Sequence, residues 1–452
     1  MTATPPPDLS HLTDALLTAA RKAGADAADA IAVDGTAISI DVRQGRLEQA
    51  ERSEGLEIGL RVLIGQRQAC VSASSISDRT LADMAERAVA MAREAPEDPS
   101  VGLADPAELA RAWDIAALEL ADPAPEPDPA ALERDALAAE AAALAVRGVT
   151  QVQSASASYG HRRVQLAATN GFSGGYARTS RSTSAVAISG EGLKMERDWA
   201  AESRTFQSEL PGAEGIGRLA GERAVERQNP RQPRTGAFPV IFDERIAAGL
   251  IGHLLAAING ASIVRGSSWL RDAMDTQVLP KGLSIIEDPF RPRIASSRPF
   301  DAEGLPTARR AIVEDGILTG WTLDLGTARR LGLRSTGNAS RGPSSPPSPS
   351  VGNIALTQGN QTRDNLIRQI GTGVLVTSMI GASINATTGD YSRGAAGFWI
   401  ENGEVTHPVN EFTLAGNLRD MLLRITPAND ARPWLSQVVP SLLVEGLTLA
   451  GS

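Results

Sequence analysis

The chain has 452 residues, 42% of them apolar and 21% charged, which excludes a disordered polymer and, at this length, a single ordinary core. A net charge of −9 with only 4% aromatic residues excludes a nucleic-acid partner, because an acidic surface releases no counterions on meeting phosphate and few rings are present to stack on bases. The single cysteine, Cys70, has no mate for an internal disulfide and sits in an alternating apolar run, so it is expected to be buried packing in a reducing, cytoplasmic setting.

Met1–Ser10 contains neither a basic residue nor an apolar stretch, which predicts a loose leader rather than an export or targeting signal. Leu12, Leu16, Leu17 and Ala20 then recur at helical spacing over Leu9–Ala23, and Gly24 supplies the stop. Alternation predicts strands over Ile38–Val42 and Leu56–Ile64 with a turn at Gln44–Arg46, and an amphipathic helix follows over Asp78–Arg93. In Asp122–Pro129 a proline stands at every second position, which forbids helix and sheet ladder and favours an extended spacer. A first α/β domain is therefore drawn at 1–121.

An alanine-rich helix over Ala131–Val146 opens a central α/β domain, 122–234. Strands are predicted at Gln151–Tyr159, Val164–Thr169 and Thr179–Ser189, with turns at Asn170-Gly171 and Gly174-Gly175. Phe238–Phe242 reads as a strand running straight into a helix capped by Asp243. The uncharged run Ile246–Val264 is as long as a membrane span, but its glycines, His253, Asn259 and Ser262 make it too polar to insert, so a helix buried within a domain is expected and no membrane partner. Short strands such as Gly373–Ile380 and Gly397–Ile400, broken by the coil Gly342–Ser350, predict a mostly β third domain at 235–452. The expected fold class is α+β.

Metal-dependent hydrolysis needs clustered ligands, an open coordination position and a base. The four histidines, His11, His161, His253 and His407, are scattered, and only His11 has a neighbour, Asp14, at helical spacing, where a solvated surface pair is the expected role. No nucleophile elbow, phosphate loop or dinucleotide fingerprint is present. Composition and spacing alone thus give a multidomain α/β protein without a readable activity.

Longer ordered stretches go further. Arg46–Gly55 with Gly59–Val62, then Asp288-Pro289, Ser297–Gly304, Ser335–Ala339, Gly389–Trp399, Glu401–Gly403, Pro408-Val409 and Ala415–Leu418 together resemble the TldD/PmbA family, modulators of DNA gyrase or peptide-maturation metalloproteases, and within it the PmbA/TldE branch. In the TldD branch a helix carries His-Glu-x-x-x-His and a late cysteine completes the metal site. Aligned on His253, this chain has Ala248 and Gly249 where that branch has the first histidine and the glutamate, and no cysteine follows. The resemblance therefore implies no catalytic residue, no metal and no cofactor in this chain, with zinc held by a TldD-type partner subunit in a heterodimer that hydrolyses unfolded peptides. His253, Asp390, Tyr391 and Arg393 are the candidate peptide-cleft or partner-contact residues; the rival reading of the last three is a loop held by an Asp-Arg pair and an anchoring tyrosine, and His253 is expected to be packed or hydrogen-bonded. The alternative function is a stand-alone homodimeric peptide-binding or scaffold protein without proteolysis.

Overall fold

The computed structural model describes residues 7–451, so most of the expected leader lies outside the described residues; its last part is already ordered, with Asp8 capping the first helix. The first half of the chain folds as α1 (Leu9–Ala23), β1 (Ala27–Arg43), β2 (Arg46–Ile64), β3 (Arg67–Ala73), α2 (Asp78–Glu94), the single turn α3 (Ile115–Leu118), α4 (Pro129–Leu144), β4 (Val149–Ala168), β5 (Ser173–Ser189), β6 (Glu196–Arg204) and α5 (Ala213–Glu226). The six strands form one antiparallel sheet in the order β3-β2-β1-β4-β5-β6, so strands from both sides of the 121/122 boundary share a single ladder. Two cores lie along one face of it. Helices α1 and α2 cover Ala28, Ala30 and Ala32 with Ile58, Leu60 and Val62, while α4 and α5 cover Ile38, Ile40 and Val42 with Ala155, Ala157 and Ala185.

The strands run well beyond the alternating cores that mark them in the sequence. All of Arg46–Gly55 in β2 is exposed, so it has no buried face to announce it, and its pairing with β1 holds it in place. Gly174 and Gly175, expected to turn, lie inside β5, and the chain reverses instead over residues 169–172. Both glycines answer close approaches: a Cβ on Gly175 would stand 2.7 Å from the Val164 carbonyl oxygen, and one on Gly174 would stand 2.9 Å from the Phe300 and Trp113 rings. The proline-rich segment is strapped down, since the Asp122 amide donates to Thr179 Oγ1 at 2.7 Å, its carboxylate accepts from the Gln207 amide at 2.8 Å, and Glu126 pairs with Arg52. Cys70 is only half-buried, because β3 is the sheet edge, and what burial it has pushes its thiol up.

The second half holds β7 (Gly236–Phe242), α6 (Glu244–Ala257), α7 (Gly260–Val264), β8 (Ile285–Glu287), β9 (Arg310–Glu314), β10 (Ile317–Leu318), α8 (Leu325–Leu331), β11 (Ala339–Ser340), β12 (Ser348–Pro349), β13 (Ile354–Leu356), α9 (Arg363–Ile370), β14 (Gly373–Ile384), β15 (Asp390–Glu401), β16 (Glu404–Asn417), α10 (Leu418–Leu422), β17 (Ile425–Pro427), β18 (Gln437–Val438) and β19 (Leu442–Ala450). One sheet runs β16-β15-β14-β7-β19-β17 and closes on itself where β16 also pairs with β19; a second runs β10-β9-β8-β13-β18. Helix α6 shares one apolar core with both, and α9 covers the opposite face of β7 through Leu366 and Ile367 on Ile241 and Leu375. The fold is α+β. The uncharged run Ile246–Val264 splits at Asn259, whose side chain caps α7 by accepting from the Ala261 amide at 3.0 Å, and among the described residues no helix is long and apolar enough to cross a membrane.

The coil expected at Gly342–Ser350 is docked rather than free. Its flanks pair as β11 and β12, and a Cβ on Gly59 in β2 would stand 2.1 Å from the Pro343 carbonyl oxygen. The adjoining Arg341, its side chain fully buried, reaches Asp29 of β1, whose carboxylate also accepts from Arg61 Nε at 2.7 Å. One buried carboxylate thereby pairs with two buried guanidiniums and ties the two halves together. Asp29→Ala leaves both cations uncompensated and is expected to lower unfolding stability by about 3–5 kcal/mol, measured by urea denaturation; a loss below about 1 kcal/mol would contradict this role.

Candidate functional site

The site is set by how β7 turns into α6. The Asp243 amide donates to the Val376 carbonyl at 3.0 Å, which keeps the turn on β14, and the Asp243 carboxylate caps α6 by accepting from the Arg245 amide at 3.2 Å. The same carboxylate takes Arg245 Nε at 3.0 Å and Arg363 Nη1 at 2.8 Å. Beyond this cap, α6 buries Ala247, Leu250, Ile251, Leu254, Leu255 and Ala257. Its other face is open: Gly249 and Ala256 are exposed, Ala248, Gly252 and His253 are half-buried, and a Cβ on Gly249 or Gly252 would meet nothing within 4 Å. The helix expected to be buried within a domain does pack on the core, but its outer stripe is open and made of small residues rather than charges.

His253 stands in the last turns of that stripe. Its ring meets Tyr391 edge-on, with centroids 5.9 Å apart and planes at 69°, and its Nε2 is buried with no hydrogen-bond partner. Burial, seconded by the nearby Arg393 charge, pushes the imidazole below its ordinary value, so the ring is neutral at physiological pH. Tyr391 is buried in the core, which pushes its phenol up to about 12, and Arg393 opposes that shift. Arg393 donates from Nε to the Gly381 carbonyl at 2.7 Å, where β14 bulges through a positive φ of 67°.

His253, Tyr391 and Arg393 therefore form one group. Asp390 belongs to another. Its carboxylate accepts from Thr388 Oγ1 at 2.6 Å and Asn417 Nδ2 at 3.1 Å, and these bonds hold it below the usual carboxylate range. The rival reading, a loop held by an Asp390–Arg393 pair, does not hold: both residues lie in β15, where each side chain satisfies itself on a different neighbour.

These residues do not fit a hydrolytic metal. On the open stripe of α6 the one nitrogen donor is His253, with Ala248 and Gly249 as its companions, and a methyl group or a hydrogen atom offers no lone pair. Among the described residues no three His, Cys, Asp or Glu side chains gather in a metal-binding cluster. Sequence reasoning missed the buried charges that aim α6: Asp198 of β6 accepts from Arg245 Nη1 at 3.1 Å and pairs with Arg227 at 3.4 Å, and Arg432 pairs with Glu244 at 2.8 Å. Nothing local marks them, since each partner lies on a separate element.

Residues 28–92, 72–228 and 235–451 match the domain descriptions PmbA/TldA metallopeptidase domain 1, central domain and C-terminal domain respectively. The chain is 36% identical over 427 residues to Metalloprotease PmbA of Escherichia coli O157:H7, covering 94% of this chain and 92% of that one. It is also 36% identical to the Metalloprotease PmbA homolog of Haemophilus influenzae, over 96% and 94% of the two chains. A modulator of DNA gyrase from Bacteroides thetaiotaomicron superposes with a TM-score of 0.91 at 25% identity over 98% of both chains. TldE from Thermococcus kodakarensis shares the fold, with a TM-score of 0.86 at 21% identity over 97% of this chain and all of that one.

The closeness of the Arg393 charge to His253 makes the imidazole titration a probe of the site. The imidazole is expected to titrate below about 6.5 by NMR and to move up in Arg393→Ala, which removes the opposing charge. Because its folded value is depressed, the stability that neutral His253 contributes is full above the unfolded value and is lost as pH falls below it. An unshifted titration in wild type and variant alike would contradict the arrangement.

Proposed function

We propose, on the premise that this chain belongs to the PmbA/TldD metallopeptidase family, that it is the metal-free, TldE-type subunit of a two-subunit peptidase and completes the peptide-binding chamber for a TldD-type partner. The observation that carries this reading is the open stripe of α6, where Ala248 and Gly249 replace the imidazole and carboxylate that a TldD-type helix would present and His253 is retained against Tyr391. A ligand set reduced in this way holds no metal and activates no water. The partner would supply zinc, and with it the polarised carbonyl and the nucleophile.

The substrate is an extended peptide. Two features support this. Strand β7 pairs with β14 only over Val374–Val376, so the same edge of β14 beyond Val376 carries no neighbouring strand among the described residues and offers main-chain donors and acceptors. The small side chains on α6 beside it leave space that a main chain can enter. Strand addition reads backbone rather than side chains, which suits a peptidase of broad specificity, and a folded protein presents no free strand to such an edge. His253, Tyr391 and Arg393 then shape the cleft wall, and they take no part in bond cleavage.

Each chain assayed separately and then mixed with a TldD-type partner, on an unstructured fluorogenic peptide, tests this. Cleavage is expected only in the mixture, to be abolished by a chelator and by changing the partner's motif glutamate, and to survive His253→Ala in this chain within about threefold, the loss of a packing contact rather than of a catalytic group. Chelator-resistant cleavage by this chain alone would overturn the proposal.

A further inference from the structure

A cavity of about 520 Å³ lies on the outer face of the C-terminal sheet, between α5 and strands β14–β16 and beside the N-terminal end of α6. Its floor is apolar, made by Leu375, Phe398 and Val405. Most charges around it are already spent, since Asp243 is shared by Arg245 and Arg363, and Glu244 is paired with Arg432. Three polar groups are not. Arg223 donates one hydrogen bond, to the Trp199 carbonyl at 3.1 Å, and among the described residues meets no carboxylate within 4 Å. Glu226, three residues on along the same helix face, meets no cation within that distance. Thr377 is 7% exposed, lines the cavity, and its Oγ1 has no partner.

Arg223 is half-buried and Glu226 lies at the exposed mouth of the cavity; partial burial depresses the Arg223 guanidinium and raises the Glu226 carboxyl, and neither has an opposite charge within 4 Å among the described residues. A buried hydroxyl in the same position is costly to leave unpaired. One cation, one anion and one hydroxyl over an apolar floor match a single small chemistry. We propose that this cavity binds the zwitterion of a free amino acid with an apolar side chain, its α-carboxylate on Arg223 and Thr377, its α-ammonium on Glu226, and its side chain on Leu375 and Phe398. The volume is in the range of about 300–1,000 Å³ usual for small-molecule sites. The assignment does not depend on the subunit reading, because it concerns the isolated chain.

Isothermal titration of the purified chain with L-leucine, N-acetyl-L-leucine and L-leucinamide decides it. L-Leucine is expected to bind saturably, and each blocked analogue about tenfold or more weaker, because each removes one charge-assisted contact. Arg223→Gln and Glu226→Gln are expected to weaken L-leucine by a similar factor. The comparison of ligands on the unaltered chain stands even if a variant fails to fold. No saturable binding at millimolar L-leucine, or equal binding of all three ligands, would overturn the proposal.

Discussion

The buried carboxylate of Asp243, at 4% exposure, sits where a strand of one sheet becomes the helix that both sheets pack against. It caps α6, takes two guanidiniums and holds its own amide on β14, so the direction of the helix is fixed from three sides at once. Removing a carboxylate so placed would leave Arg245 and Arg363 facing each other in a poorly hydrated space. The orientation of the open stripe, and hence the place of His253 opposite Tyr391, follows from this single cap.

Charge pairing of the same kind joins the rest of the molecule. Asp198 brings the central strands to Arg245, Arg432 brings the C-terminal segment to Glu244 and Glu202, and Asp29 brings β1 to Arg341. These pairs cross between regions alongside a small aromatic cluster in which Phe300 packs on Trp113, Phe172 and Tyr176, whereas each helix-on-sheet layer has its own larger hydrophobic core. Apolar burial supplies cohesion within a layer, and buried ion pairs set how the layers meet. The proposed peptide cleft would need that second kind of constraint, because its walls come from different elements.

Much of this was legible in the residues. The helices at Leu9–Ala23 and Asp78–Arg93 stand where apolar spacing and capping place them, and Phe238–Phe242 does run into a helix capped by Asp243. The family was legible from the ordered run Gly389–Trp399 and its companions. What was not legible depended on contacts distant in the chain. Arg341 and Asp29 are 312 residues apart, and nothing near Gly342–Ser350 shows that Pro343 lies on Gly59. The polar half of β2 has no periodic pattern because neither of its faces is buried. At the candidate site His253, Tyr391 and Arg393 come together and Asp390 does not: it turns to Asn417 and Thr388 rather than Arg393, since strand positions an odd number of residues apart point to opposite faces and only the neighbouring strands determine what they meet.

In the proposed subunit role, the open stripe of α6 is what would let a peptidase fold persist without a metal of its own. A helix that no longer needs ligands can carry small residues there, and the space they leave is available to a substrate or a partner. The zinc content of the isolated chain tests this most directly. Elemental analysis of protein purified without chelator and dialysed against zinc-free buffer is expected to show far less than one zinc per chain, because a single buried imidazole competes poorly with water for the ion. About one zinc per chain, lost in His253→Ala, would contradict the account.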